Sequence, residues 1–76
     1  MSVVLRVFVN AAGINVDAGA TALDCVRAWR SEEADAIASG KRVITDSRGL
    51  PIAMDSPARA GSIYRTVSNR ASARGE

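Results

Sequence analysis

Few side chains in this 76-residue chain could carry chemistry, and composition narrows them further. There is no histidine, so the commonest general base and metal ligand is missing. The single thiol, Cys25, is the one strong nucleophile, yet Ala22, Cys25, Val26 and Trp29 recur at three- and four-residue spacing. That spacing places Cys25 on the apolar stripe of a helix, where a cysteine packs rather than reacts. The carboxylates Asp17, Asp24, Glu32, Glu33, Asp35, Asp46 and Asp55 are scattered, in neither a calcium-loop nor a paired-carboxylate pattern. Ser47-Arg48-Gly49 could turn backbone amides toward an anion, but a tight turn alone accounts for those residues. The expectation is a chain that is not an enzyme and holds no cofactor or metal.

Charge and length bound the partners. From Pro57 to Gly75 there are four arginines (Arg59, Arg65, Arg70, Arg74) and no acid, although the net charge is only +2. Such a stretch can attract nucleic acid, but here it lacks the clustered basic-plus-aromatic surface that such binding prefers. Solvated surface is the expected reading, and nucleic acid is not the expected partner. No apolar run approaches the ~20 residues of a membrane helix, so no membrane partner is expected. The first residues lack the pattern of a secretory signal, and a lone thiol suits a reducing compartment, so a cytoplasmic location is expected. One core of this size supplies roughly 3–5 kcal/mol, and Cys25 cannot form an internal bridge, which leaves association into homo-oligomers open.

The elements that must position these groups follow from periodicity. Val3 to Val9 is β-branched or apolar apart from Arg6 and places Val3, Leu5, Val7 and Val9 on one side of a strand. Asn10-Ala-Ala-Gly13 reads as a turn, with Ile14 to Asp17 as the returning strand. Thr21 and Asp24 resemble a capping box opening a helix, and Ser31 followed by Glu32 and Glu33 resembles a second cap. A short second helix with Ala34, Ile37 and Ala38 on one face would stop at Gly40. Lys41 to Asp46 reads as a strand, Asp46 to Gly49 as a turn, and Leu50-Pro51-Ile52 as a short strand that proline confines to an edge. Ser62 to Val67 closes the set. The reading is α+β of β-grasp type: a mixed four- to five-stranded sheet on one main helix, with the first and last strands adjacent at its centre. The domain would span residues 1–68, and residues 69–76, without a large apolar group, would form a flexible tail.

Two stretches carry a family resemblance. Val9 to Asp24 resembles the start of the thiamine-pathway (ThiS-type) and molybdopterin-pathway (MoaD-type) sulfur carriers, in which a hairpin turn, a small-Gly-x-Thr entry and an apolar helix follow in that order. Ser56 to Val67 is similar to the family's loop, glycine and closing strand. The resemblance implies a ubiquitin-like β-grasp body and, as partner, another protein such as an activating or sulfur-transfer enzyme. It fails at the end of the chain. Carriers close on Gly-Gly, thin enough to thread an enzyme channel, whereas this chain ends Ala73-Arg74-Gly75-Glu76. The expected function is therefore a protein-binding module with a carrier-like body. The alternatives are a sulfur carrier activated at Gly75 after loss of Glu76, and an RNA-binding β-grasp domain.

For a binding module the informative side chains lie opposite the helix. With Val3, Leu5, Val7 and Val9 expected inward, Arg6 and Phe8 face out, and Tyr64 and Arg65 of the adjacent last strand are expected beside them. Arg6, Phe8, Tyr64 and Arg65 form the candidate partner-binding surface, since tyrosine and arginine are enriched at such centres.

Overall fold

A computed structural model describes residues 3–69 of the chain. Its elements run β1 (Val4–Val9), β2 (Ala12–Asp17), α1 (Ala22–Trp29), α2 (Ser31–Ala38), β3 (Arg42–Thr45), β4 (Pro51–Ile52) and β5 (Ile63–Ser68). The result is a small α+β unit, a five-stranded mixed sheet and two helices, with strand order β2-β1-β5-β3-β4. β1 and β5, the first and last strands, pair in parallel at the centre, and the other neighbours are antiparallel.

The opening hairpin is tighter than expected. Asn10 and Ala11 both have positive φ, 50° and 70°, which makes a two-residue turn of the kind whose twist matches the flanking strands. Val9 pairs directly with Ala12, so β2 starts two residues before the expected Ile14. Asparagine tolerates the left-handed region through its short polar side chain, whereas alanine there is strained. Asn10 also does something the sequence did not announce. Its Nδ2 donates to Thr66 Oγ1 at 2.9 Å, and its Oδ1 accepts from the Thr66 backbone N–H at 3.1 Å. The side chain thereby continues the β1–β5 ladder where the β1 backbone turns away.

The helices follow from their caps. Thr21 Oγ1 accepts the Asp24 N–H at 3.2 Å while Asp24 Oδ2 accepts the Thr21 N–H at 3.0 Å, a complete capping box. Ser31, the expected second cap, is instead the first helical residue. Only Arg30, extended at φ −152° and ψ 123°, separates α1 from α2, so it occupies the cap position of both. The second helix, expected to be short, forms and at eight residues equals the first in length. α2 ends as expected at Gly40, φ +87°. There the N–H groups of Gly40 and Lys41 bond to the carbonyls of Ile37 and Ala36 at 3.0 and 2.9 Å.

Both helices lie on one side of the sheet. Val7, Val9, Val16, Ile44 and Tyr64 from the strands meet Ala22, Cys25, Val26, Ala34 and Ile37 from the helices in one buried cluster. Trp29 packs against its margin, partly exposed, with Arg30 stacked 4.8 Å from its ring centre. α2 is tied to β3 by the ion pair of Glu33 Oε2 with Arg42 Nε at 2.5 Å. β4 lies at the edge, as its proline requires. At the far end Asn69, assigned by sequence to the tail, donates its backbone N–H to Lys41 O at 3.0 Å and its Nδ2 to Gly40 O at 2.9 Å. The rest of the expected tail, residues 70–76, lies outside the described residues.

Two substitutions test the hairpin. Ala11→Gly relieves the left-handed strain and should raise stability by about 1 kcal/mol. Asn10→Ala should lower it by about 1–3 kcal/mol, because the Thr66 N–H loses its acceptor in a partly buried position. Urea titrations with an unchanged m-value would check both.

Candidate functional site

Alternation along the central strands defines a second face that no described element covers. On β1 it presents Val4, Arg6 and Phe8, and on β5 Ile63, Arg65 and Val67. The register sets Phe8 beside Ile63 and Val67 beside Val43. Ile63 is 45% and Val67 43% exposed, large values for aliphatic side chains, and Phe8 is half-buried. Phe8, Asn10, Ala11, Ile63 and Arg65 line a shallow depression of about 590 Å³. The arginines flank the apolar centre. Arg6 lies toward β2, with its guanidinium over Gly13; a Cβ on Gly13 would fall 2.5 Å from Arg6 Nη2. The missing side chain leaves the space over Gly13 that the Arg6 guanidinium occupies.

Of the four expected surface residues, the structure brings Arg6, Phe8 and Arg65 to this face and places Tyr64 on the other. Tyr64 pairs laterally with Val9, shares its inward direction, and is only 4% exposed. The correction has a simple cause. Neighbours in a strand point to opposite faces, so Tyr64 and Arg65 cannot share one, and the permanently charged guanidinium has to face water. That alternation was available in the sequence, and anchored on Arg65 it also identifies the residues that were missed, Ile63 and Val67. The lining role of Asn10 had no such signal, because it depends on the turn.

The inward groups have the chemistry of a core. Cys25 is fully buried, and burial, aided by the nearby Asp24 carboxylate, pushes its thiol above the ordinary range. Burial likewise raises the Tyr64 phenol, partly countered by a hydrogen bond with the Ser62 side chain. At neutral pH both stay protonated. Among the described residues no group of three or more His, Cys, Asp or Glu side chains is placed to hold a metal ion. No described helix is long and apolar enough to cross a membrane. Gly75, the expected terminus of a carrier, lies outside the described residues.

Comparison with family models, curated proteins and solved structures gives no match to this chain.

The two aromatic residues should now behave differently. Tyr64→Ala removes a buried ring and should cost about 3–5 kcal/mol, close to the whole stability of a domain this small. Phe8→Ala should leave a cooperative unfolding transition, followed by circular dichroism.

Because Cys25 and Tyr64 hold their protons more tightly when folded, their contribution is complete below the unfolded pKa values. It is lost as pH rises past about 8.5 for the thiol and about 10 for the phenol. The urea midpoint should therefore fall in alkaline solution, with the first part of the fall absent in Cys25→Ala.

Proposed function

We propose that this chain is a non-enzymatic β-grasp (ubiquitin-like) module that docks on another protein through the open sheet face centred on Phe8 and Ile63. Two things support the fold name: the order β2-β1-β5-β3-β4, with both helices on one side of a central parallel pair, and the carrier-like stretches of sequence. The docking role rests on one observation, the pairing of Phe8 with Ile63 on an uncovered face between the guanidinium groups of Arg6 and Arg65. Exposed apolar side chains rimmed by charge are what a partner can bury, and Arg and aromatic side chains dominate such contacts.

The same face is poorly suited to catalysis. Its depression is lined by Phe8, Ala11, Ile63, the Asn10 amide and Arg65, none of them a thiol, hydroxyl or carboxylate. The basic rim favours a partner that brings carboxylates around an apolar anchor.

A photoreactive phenylalanine analogue at Phe8 tests this in the native host. It should cross-link to one discrete protein, and the same analogue at Arg27, on the exposed side of α1, should not. Equal labelling at both positions would remove the proposal. Sulfur in place of oxygen at the C-terminal carboxylate, seen by intact mass, would replace it with the carrier reading.

A further inference from the structure

The sheet ends in two unlike edges. β4 closes one with two residues, of which Pro51 has no N–H to offer. β2 closes the other with six, Ala12–Asp17, and contains none of the proline, lysine or arginine that usually blunts an edge. The direction of its free backbone groups follows from Ala18, whose N–H donates to Val3 O at 2.7 Å. Even-numbered residues of β2 therefore bond toward β1, and odd-numbered ones turn outward. Gly13 and Asn15 each direct an N–H and a C=O away from the sheet. Asp17 directs an N–H outward, its carbonyl being taken by the Ala20 N–H at 3.0 Å. A groove of about 630 Å³ runs along this edge, lined by Asn15, Val16 and Asp17 of β2, Ala20, and Asp24 and Ala28 of α1. Its lining holds two carboxylates and no cation.

From these features we infer that β2 accepts an extended basic segment of another protein as a sixth strand. The incoming backbone bonds to Gly13, Asn15 and Asp17, and a lysine or arginine side chain lies in the groove with Asp17 and Asp24. Strand addition takes its affinity from main-chain hydrogen bonds and its selectivity from alternate side chains. A second copy of β2 is the wrong occupant, because Ala12–Asp17 brings an acid and no base to a groove already acidic. This site is separate from the face around Phe8 and does not depend on the role proposed for it.

The probe is an acetylated eight-residue peptide alternating valine and lysine, titrated into isotopically labelled full-length protein. Amide shifts and slowed exchange should centre on Gly13, Asn15 and Asp17. Affinity should fall about tenfold or more when glutamate replaces lysine, or when the peptide amides are methylated so that they cannot bond. Asp17→Asn, at an exposed position, should weaken binding severalfold and reduce its salt dependence. The inference is overturned by equal binding of the glutamate or methylated peptide, by shifts confined to Phe8, Ile63 and Arg65, or by no saturable binding at all. Concentration-dependent shifts at the same β2 amides without peptide would assign the edge to self-association and overturn it too.

Discussion

The parallel contact between β1 and β5 is the constraint on which the rest of the architecture depends. It is short: two paired positions, Phe8 with Ile63 and Val9 with Tyr64. Backbone bonds from Phe8 N to Ser62 O, Asn10 N to Tyr64 O and Gly61 N to Arg6 O hold it at 2.7–2.9 Å. The Asn10 side chain lengthens it to Thr66. Parallel neighbours cannot be joined by a tight turn, so the chain between them has to travel out of the sheet and return. Here the intervening chain contains β2, both helices, β3 and β4. All the apolar helix surface is consequently delivered to one side, and the other side is left facing water.

The same contact sorts side chains into core and surface. Setting Val9 beside Tyr64 turns the phenol inward, where burial keeps it protonated alongside the Cys25 thiol. Setting Phe8 beside Ile63 assembles an apolar centre on the open face from strands more than fifty residues apart in the chain. A slip of one residue in this register would exchange the two sets, exposing Tyr64 and burying Arg65. The cost of burying a guanidinium without a partner makes that slip self-correcting.

Two surfaces of opposite character result. The open face offers apolar side chains between arginines, suited to burial against a protein with carboxylates at its margin. The β2 edge offers unpaired backbone beside Asp17 and Asp24, suited to an extended segment carrying the opposite charge. The titratable groups with raised pKa values, Cys25 and Tyr64, belong to neither surface and are sealed in the core.

Local signals settled much of the chain from sequence alone. Thr21 and Asp24 at that spacing favour a helix start, Gly40 a helix stop, and Pro51 an edge strand, because each acts on backbone groups within a few residues. The stripe through Ala22, Cys25, Val26 and Trp29 likewise identified an inward helix face. Arg30 as the shared cap of α1 and α2 was not legible, since Ser31 offers the better capping side chain and α2 begins with no side-chain cap bond. Nor was the fate of Tyr64, a residue amphipathic enough for either side, decided until β5 met β1 in one register. Residue type and short-range spacing determined which elements form and in what order. Only the long-range pairing of the first and last strands decided which side chains met, because that register is a property of two segments and is written in neither.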